Sequence, residues 1–323
     1  MKLLIIGGAG YIGSHTVKYA QEHDHEVVVL DDFSTGHEWA IEDCEILRVN
    51  LLNQEKLSQL LSGRYFDGVI HFAAKSLVGE SIRKPDFYYR NNVVGTLNIV
   101  NEMLNNDINN LVFSSTAAIF GNPVTEKIAE DHPKKPINPY GRSKLMVENM
   151  LQDICSVNNF NVTCLRYFNA AGAHESGKIG ESHDPETHLI PNVLKTAISK
   201  ESSLKVFGDD YPTSDGTCIR DYVHVTDLAQ AHLLGLDYMK NNKGFSAFNL
   251  GNGDGFSVLE VINSCQRVTD TKIPFQIDGR REGDPALLVA ENAYAKNLLG
   301  WNPEYDQIDS IIDSAWHWHG KGR

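Results

Sequence analysis

The sequence lacks a long apolar run. In 323 residues no stretch approaches the roughly 20 consecutive apolar residues that a helix needs to cross a bilayer. Met1 and Lys2 lead directly into a short apolar segment, without the charged and then apolar order of a secretory leader. We therefore expect a soluble, cytoplasmic protein that does not enter a membrane.

Paired cysteines and metal-binding motifs are lacking as well. The five cysteines are odd in number and widely spaced, which favours free thiols in a reducing compartment. Among the thirteen histidines, His183 and His188 lie in one loop, while His317 and His319 stand two apart, which is not a helical ligand spacing. In this interpretation no Cys or carboxylate completes either group, so we expect no metal site.

Positive charge is scarce, because 29 Lys and Arg residues face 42 Asp and Glu residues and leave a formal charge of −13. This balance argues against non-specific binding to nucleic acid or to an acidic membrane surface, although it permits a local basic pocket for an anionic ligand. The length exceeds what one hydrophobic core usually serves, so we expect a large domain that carries a smaller one.

The N-terminal segment predicts a dinucleotide site. The apolar run Lys2 to Ile6 is followed by Gly7-Gly8-Ala9-Gly10-Tyr11-Ile12-Gly13 and then by a helical pattern, which indicates a buried strand, a glycine-rich turn and a helix start. The glycines allow a tight turn and a close backbone approach, and the free amides of a helix N-terminus favour a pyrophosphate. A plain turn is the alternative, and the strand-turn-helix context favours the dinucleotide.

The next predicted strand, Glu26 to Leu30, ends on Asp31 and Asp32. An acidic residue at this strand end accepts hydrogen bonds from the adenosine ribose hydroxyls and repels a 2′-phosphate. The pattern therefore predicts NAD in preference to NADP. The alternative is a solvated loop carboxylate.

Strand and helix patterns alternate through the first half of the chain. Further strands are predicted at Glu45 to Val49, Gly68 to His71, Asn110 to Ser114 and Val162 to Arg166. Helices are predicted at Gln54 to Leu61, Pro85 to Asn105 and Tyr140 to Asn158. This alternation predicts an α/β fold with a doubly wound parallel sheet, in which ligands bind beyond the carboxyl ends of the strands.

Tyr140 and Lys144 stand four residues apart at the start of an amphipathic helix, and positions four apart share a helix face. A phenol with a pKa of about 10 is a poor base at neutral pH, but a nearby cation favours its ionised form. Tyr140 is therefore a candidate proton shuttle, and the Thr116 hydroxyl is a candidate partner for a substrate oxygen beside it. An ordinary exposed helix pair is the alternative.

From about Asn169 the alternation of strand and helix patterns is replaced by loops that are rich in Gly, His and Asp. The later predicted elements are a helix at Ile190 to Lys200, a strand at Leu204 to Phe207, a strand at Arg220 to Val225 that leads into a helix ending at Asn241, and a helix opened by a capping box at Ser257 to Glu260. We predict domains at 1–168 and 169–323, with a later strand near 245–250 that returns to the first sheet.

Together these motifs resemble the extended short-chain dehydrogenase/reductase family, with its Rossmann-like fold, and most closely its UDP-glucose 4-epimerase branch. The resemblance runs nearly end to end. Besides the glycine turn, it is carried by His71-Phe72-Ala73-Ala74, Ser114-Ser115-Thr116-Ala117-Ala118, Pro139-Tyr140-Gly141-Arg142-Ser143-Lys144, Arg166-Tyr167-Phe168-Asn169, Glu186-Thr187-His188-Leu189-Ile190-Pro191, Phe207-Gly208-Asp209-Asp210-Tyr211, Asp215-Gly216-Thr217, Arg220-Asp221-Tyr222 and Arg281-Glu282-Gly283-Asp284-Pro285.

The resemblance implies a catalytic group of Thr116, Tyr140 and Lys144. It implies that NAD is held by Gly7, Gly10, Tyr11, Ile12, Gly13, Asp31, Asp32, Asn50, Leu51, Phe72, Ala73, Ala74, Asn91, Ser114, Tyr140, Lys144 and Phe168. It implies that a UDP-hexose is held by Thr116, Tyr140, Asn169, His188, Leu189, Val206, Phe207, Arg220, Tyr222, Arg281, Asp284 and Leu288. Asn50, Ser76 and Phe120 depart from the residues that relatives often carry, which affects contacts and leaves the chemistry intact.

The implied activity is the interconversion of UDP-glucose and UDP-galactose through a transient 4-keto sugar, and the expected assembly is a homodimer. A 4,6-dehydratase is a rival, but it needs an acid and a base where Ala117 and Ala118 stand. A 4-epimerase for N-acetylated UDP-sugars is a second alternative, in which Leu288 faces the hexose. A non-enzymatic NAD-sensing scaffold is a third, and the presence of Tyr140 and Lys144 argues against it.

Overall fold

The computed structural model describes residues 1–199, 203–281 and 284–320. The strands are β1 (Lys2–Ile6), β2 (Glu26–Asp31), β3 (Glu45–Arg48), β4 (Gly68–His71), β5 (Asn110–Thr116), β6 (Asn161–Tyr167), β7 (Asn169–Ala171), β8 (Leu204–Phe207), β9 (Ile219–Arg220), β10 (Tyr222–His224), β11 (Phe245–Leu250), β12 (Phe256–Ser257), β13 (Phe275–Asp278) and β14 (Leu287–Leu288). The helices are α1 (Tyr11–Glu22), α2 (Gln54–Leu61), α3 (Val78–Arg83), α4 (Pro85–Tyr88), α5 (Gly95–Asn105), α6 (Pro139–Val157), α7 (Leu189–Ser199), α8 (Val225–Asn241), α9 (Val258–Thr269), α10 (Ala293–Leu299) and α11 (Ile308–His319).

A seven-stranded parallel sheet in the order β11-β6-β5-β4-β1-β2-β3 forms the centre of the molecule, which confirms the predicted doubly wound fold. Alternate residues of each strand face opposite sides. In β1, Leu3 and Ile5 join the core under α1 and α8, while Leu4 and Ile6 join the core under α2, α5 and α6. Both faces are therefore covered, as apolar parallel strands require.

The expected return of a later strand is observed, because β11 pairs in parallel with β6 at the sheet edge. Helix α8 also packs on this sheet, through residues such as Leu228 and Leu236. The remaining elements build a separate apolar core from α7, α9 and α11, flanked by two- and three-stranded sheets. The division at residues 168 and 169 remains a prediction.

Two predicted elements are interrupted in the structure. The predicted helix from Pro85 to Asn105 consists of α4, a π-helical segment at Tyr89–Val94, and α5. Within the π-helical segment, the buried Asn92 amide donates to the Lys75 carbonyl oxygen and to the Ser143 hydroxyl, so it joins the loop after β4 to α6. A π-helical turn of this kind often accompanies a functional site.

The predicted strand from Arg220 to Val225 is divided between β9 and β10 by Asp221. The buried Asp221 carboxylate accepts hydrogen bonds from the backbone amides of Asn252, Gly253 and Ala290. Asp221 thereby joins three chain segments, and the local sequence pattern does not reveal such tertiary contacts.

The predicted helix residue Lys200, and Glu282 and Gly283 of a quoted motif, lie outside the described residues. Within the described ranges no helix is long and apolar enough to span a membrane.

A buried ion pair attaches α6 to the sheet. The Glu148 carboxylate of α6 accepts hydrogen bonds from Arg166 Nε at 2.9 Å and Arg166 Nη2 at 2.7 Å, and from the Ser115 hydroxyl at 2.5 Å. The Glu148 and Arg166 side chains are 3% and 2% exposed. Loss of one partner would leave the other charge buried without compensation.

We expect Arg166→Met to lower the free energy of unfolding by about 3 to 5 kcal/mol, because Glu148 then remains charged in an apolar core. Arg267→Met is the control, since Arg267 pairs with Asp309 on the surface and such pairs contribute about 0 to 1 kcal/mol. Urea unfolding of both variants measures the difference. Replacing both buried partners in Glu148→Leu/Arg166→Met should recover part of the loss. Equal losses for the buried and surface pairs would contradict this account.

Candidate active site

Two cavities meet at the carboxyl ends of the central strands. The first cavity has a volume of about 330 Å³, and it follows the ends of β1, β2, β4 and β5. The second cavity has a volume of about 990 Å³, and it lies between the central sheet and the later elements. Five residues line both cavities: Ser76, Asn169, Ala170, Glu181 and His188.

The structure brings the predicted residues together on these two surfaces. The first cavity is lined by Gly7, Gly10, Tyr11, Ile12, Gly13, Asp31, Asp32, Asn50, Leu51, Phe72, Ala73, Ala74, Asn91, Ser114, Thr116, Tyr140, Lys144 and Phe168, among others. The second cavity is lined by Asn169, His188, Leu189, Val206, Phe207, Arg220, Tyr222, Arg281, Asp284 and Leu288, among others. The roles assigned to these residues remain predictions, whereas their positions are observed.

The glycine-rich turn lies against the loop that follows β4. Gly7 has a φ of +77°, which favours glycine, and a Cβ atom at this position would lie 2.6 Å from the Ala73 backbone nitrogen. Helix α1 begins at Tyr11, slightly earlier than the sequence pattern predicted, so its N-terminal end is part of the cavity wall. The turn and this helix N-terminus fit a bound pyrophosphate.

The two acidic residues at the end of β2 differ in their surroundings. Asp31 is buried and accepts hydrogen bonds from the Ala9 and Phe33 amides, and its burial raises the pKa of the carboxyl group. The Asp32 carboxylate accepts a hydrogen bond of 2.6 Å from the side-chain amide of Asn50. This arrangement presents oxygen acceptors to a ribose, and a phosphate in the same place would meet negative charge.

Tyr140 lies in the first turn of α6, which is capped by the Asn138 side chain and has Pro139 at its first position. Burial raises the pKa of the Tyr140 hydroxyl, and a hydrogen bond with the Thr116 side chain lowers it by less. The sequence argument expected a cation to favour the phenolate. In the structure burial is the larger influence, so the protein by itself holds Tyr140 in its protonated form.

The Lys144 ammonium donates to the Ser114 carbonyl oxygen at 2.7 Å and lies 4.6 Å from the centre of the Phe113 ring. Burial lowers the pKa of Lys144 to about 7. The desolvation that disfavours the Tyr140 phenolate therefore also disfavours the charged form of its expected partner. Lys144 and Tyr140 share the wall of the first cavity, as their spacing predicted.

Arg220 and Arg281 are among the basic residues that line the second cavity, together with Arg83, Lys195 and Lys205. Arg220 is nearly buried and donates to the Ile219 and Pro285 carbonyl oxygens, and it contacts Asp284 at 3.3 Å. The exposed Arg281 guanidinium lies 4.0 Å from the centre of the Phe207 ring. Two guanidinium groups beside an aromatic ring can bind a pyrophosphate next to a stacked base.

Four side chains of the loop before α7 lie close together, whereas the sequence analysis expected no carboxylate beside His183 and His188. The potential ligand atoms of Glu181, His183, Glu186 and His188 all lie within 4.8 Å of one another. The statement that no carboxylate completes the His183 and His188 group is therefore wrong, because the loop turns both glutamates toward the histidines. Burial lowers the pKa of His183, but Glu181 and Glu186 outweigh burial and raise the pKa to about 9.

Sequence reasoning also missed several residues of the first cavity wall. The Tyr167 hydroxyl forms a very short hydrogen bond with the Ser114 hydroxyl. Lys75 lies at the cavity mouth and donates to the Ser34 hydroxyl at 3.0 Å. Tyr167 lies inside the motif Arg166-Tyr167-Phe168-Asn169, and Lys75 directly follows His71-Phe72-Ala73-Ala74, so both could have been found from the motifs at the strand ends. Glu181 and His183 lie outside such motifs and gave no signal of this kind.

Comparison with known proteins agrees with this architecture. The family model described as NAD dependent epimerase/dehydratase family matches residues 3–251. The chain is 47% identical to the UDP-glucose 4-epimerase of Halalkalibacterium halodurans over 319 residues, which cover 99% of this chain and 96% of that protein.

Solved structures show the same similarity. UDP-glucose 4-epimerase from Brucella ovis in complex with NAD is 44% identical, with a TM-score of 0.94 and coverage of 98% of both chains. UDP-glucose 4-epimerase from Bifidobacterium longum in complex with NAD+ and UDP is 35% identical, with a TM-score of 0.94 and coverage of 100% of this chain and 99% of that chain. The chain therefore belongs to the NAD dependent epimerase/dehydratase family.

Proposed function

We propose that this chain is a UDP-glucose 4-epimerase, an isomerase that interconverts UDP-glucose and UDP-galactose with bound NAD. The observation that carries the proposal is the position of Tyr140. Its hydroxyl, hydrogen-bonded to Thr116, lines the first cavity close to the residues shared with the second cavity. A sugar that extends from a UDP group in the second cavity would thus meet a proton acceptor and a nicotinamide at the same place.

The first cavity fits NAD, since a tight glycine turn, a helix N-terminus and a buried strand-end carboxylate lie on one wall. When bound, NAD supplies a reversible hydride acceptor and a positively charged ring, which allow C4 of the sugar to be oxidised to a ketone and then reduced from its other face. In this assignment Asp31 and Asp32 hold the adenosine ribose, and Phe72 and Ala73 line the wall behind the turn.

Tyr140 takes the proton from the C4 hydroxyl, and it returns a proton when the ketone is reduced. Thr116 donates a hydrogen bond that favours the phenolate and holds the substrate oxygen at the same point. Lys144 contributes a partial positive charge from the same helix face and fixes the cavity wall through Ser114. Such a cycle consumes no external oxidant, because the same sugar carbon is oxidised and reduced.

The UDP group must remain anchored while the sugar turns between the oxidation of C4 and the reduction of the ketone. Arg220 and Arg281 supply the cations for the pyrophosphate, and Phe207 supplies an aromatic face for the base. Asn169 lines both cavities, so it contacts the region where the two ligands meet. The second cavity is the larger of the two, which suits a sugar that must turn over inside it.

Dehydration at C5 and C6 would need an acid and a base beside Thr116. The following residues are Ala117 and Ala118, and both line the second cavity. Neither can transfer a proton, so the rival 4,6-dehydratase activity is rejected in favour of epimerisation.

Our proposal also includes a cytoplasmic homodimer, and size-exclusion chromatography with light scattering is the direct measurement of the assembly.

A second candidate activity acts on UDP-N-acetylglucosamine and UDP-N-acetylgalactosamine, and Leu288 favours it. Leu288 lines the second cavity and packs against the apolar cluster of Ala117, Ile119, Phe120 and Ile128. Leucine lacks the far half of a tyrosine ring, so an acetamido group at C2 has room when the sugar turns. The N-acetylated sugars are therefore proposed as additional substrates.

Gly10→Ala tests the assigned pyrophosphate site through the retention of NAD. A Cβ atom at Gly10 would approach only the Gly7 carbonyl oxygen, at 3.4 Å, so Gly10→Ala should fold while placing a methyl group at the cavity wall. We expect NAD affinity to fall by about 10- to 200-fold, the range for one steric contact. Gly279→Ala is the control, because no atom lies within 4 Å of the added Cβ. NAD released from denatured protein is quantified; unchanged retention in Gly10→Ala would contradict the assigned pyrophosphate site.

Tyr140→Phe tests the proton acceptor. We expect kcat to fall by about 100- to 10,000-fold, because the variant removes the transferable proton and little volume. UDP-sugar binding, measured by calorimetry, should change little. Tyr65→Phe, an exposed tyrosine that bonds Asp67, is the matched control and should retain full activity. A Tyr140→Phe enzyme with the kcat of the unmodified protein would refute the proposed mechanism.

Leu288→Tyr tests the choice of sugar. The added ring should suppress turnover of UDP-N-acetylgalactosamine by about 10- to 200-fold relative to UDP-galactose. Separate kcat/KM measurements on the two sugars give this ratio, and Leu298→Tyr on the surface of α10 controls for the substitution itself. Equal losses on both sugars would mean that Leu288 supports the fold and does not select the substrate.

A further inference from the structure

The loop that joins β7 to α7 carries an unexpected group of side chains. Glu181, His183, Glu186 and His188 lie within eight consecutive positions, and their potential ligand atoms lie within 4.8 Å of one another. Local sequence patterns do not predict this convergence, because the four residues lie in a loop without regular periodicity. The arrangement arises from the path of the loop, and the proposed epimerase chemistry uses only His188, as a wall residue.

The distances between the histidine nitrogens and the glutamate oxygens of the cluster are close to those between the ligands of one metal ion. His188 Nδ1 lies 2.7 Å from Glu181 Oε1 and 3.1 Å from Glu186 Oε1, and His183 Nδ1 lies 3.2 Å from Glu181 Oε1 and 3.8 Å from Glu186 Oε2. Four ligands bound tetrahedrally at about 2.0 to 2.2 Å from a zinc ion are separated by about 3.3 to 3.6 Å. Three of the four observed separations lie below that range and one lies above it, so small shifts of the side chains would bring the ligand atoms to zinc-ligand spacing.

An ion-pair cluster of protonated histidines is the competing explanation. It accounts for the distances, but it does not account for the directions of the bonds. Glu181 Oε1, His183 Nδ1 and Glu186 Oε2 are buried atoms without a hydrogen bond of acceptable geometry, although oxygen or nitrogen partners are close. Glu181 is 4% exposed, so this unsatisfied carboxylate oxygen faces the cluster from a buried position.

We propose that Glu181, His183, Glu186 and His188 bind one divalent first-row transition metal ion, for which Zn²⁺ fits best. Two imidazole nitrogens and two carboxylate oxygens form a mixed ligand set that suits zinc, whereas Mg²⁺ and Ca²⁺ prefer oxygen ligands alone. A divalent ion also carries the same charge as the two histidine protons that it would displace, so the cluster remains neutral with metal bound.

The loop backbone is held in place from distant parts of the chain, which makes the cluster a built site. The Trp318 indole donates to the Glu181 carbonyl oxygen at 3.0 Å, and a His37 ring nitrogen lies 3.0 Å from the Ser182 carbonyl oxygen. The other oxygen of Glu186 accepts hydrogen bonds from the backbone amides of Thr187 and His188. These contacts hold the loop backbone and orient the Glu186 carboxylate independently of any ion.

The site has a structural character. Four protein ligands fill a tetrahedral coordination sphere, which is the pattern of zinc ions that stabilise a fold and do not activate water. Glu181 and His188 line both cavities, so the ion would fix the wall between them and the start of α7. The inference is independent of the proposed epimerase activity, because its measurements are metal content, metal affinity and melting temperature.

The experiment uses full-length protein that carries no histidine tag. Metal content is measured by mass spectrometry after purification without chelator, and again after chelator treatment, incubation with ZnSO₄ and desalting. We expect about one zinc ion per chain after this reconstitution, and a rise in melting temperature of more than about 2 °C. Equal concentrations of Mg²⁺ or Ca²⁺ should produce neither effect.

The variants separate this site from adventitious binding. His183→Gln and Glu186→Gln should each weaken zinc binding by more than about 10-fold, since loss of a ligand costs at least as much as loss of a residue that supports one. Glu186→Gln keeps an oxygen that can accept from the loop amides, so it should fold. His317→Gln is the control, because His317 contacts Asp313 alone in an exposed pair outside the four-residue cluster, and it should bind zinc normally.

Three outcomes would overturn the proposal. A reconstituted protein that holds less than about a tenth of an equivalent of zinc would leave the ion-pair cluster as the correct description. Zinc binding that is unchanged in both His183→Gln and Glu186→Gln would place the ion elsewhere, for example on a free thiol. An equal response to Ca²⁺ would show binding by charge alone. If every variant failed to fold, the zinc content and selectivity of the unmodified protein would still decide.

Discussion

The attachment of α6 to the central sheet depends on the buried Glu148–Arg166 ion pair. Tyr140, Lys144 and Glu148 follow one another at four-residue intervals, so one helix face carries the proposed proton acceptor, its neighbouring amine and the Glu148 carboxylate of the ion pair. Ser115 reaches the same carboxylate from β5, and Thr116 follows it directly. The pair therefore fixes the relative position of Thr116 and Tyr140, although neither of its members lines either cavity.

The parallel sheet explains why residues from distant parts of the chain share one site. Every strand of the central sheet runs in the same direction, so the glycine turn after β1, the acidic pair at the end of β2 and the hydroxyls at the end of β5 all lie at one edge. The return of β11 beside β6 extends this edge toward β7. Residues that are far apart in sequence therefore form one binding surface.

This geometry also accounts for what the sequence could and could not predict. The apolar strands and their terminal motifs were found because their signals are local, and parallel pairing then assembles them. Asp221 and the Glu181 loop were missed because their structure depends on partners more than 30 residues away, namely Asn252 and Ala290 for Asp221. The Trp318 contact with Glu181 spans 137 residues. A local periodicity in the sequence cannot reveal contacts between residues so far apart.

Burial is the largest influence on the pKa values of both Tyr140 and Lys144. Burial raises the pKa of Tyr140 and lowers that of Lys144, so desolvation moves both groups toward their neutral forms. The spacing argument counted the lysine charge and omitted this cost. An additional positive charge in the first cavity would reverse the balance, because it stabilises the phenolate without removing Tyr140 from its buried position. In the proposed mechanism, a cationic ligand in the first cavity therefore favours the Tyr140 phenolate, which burial alone disfavours.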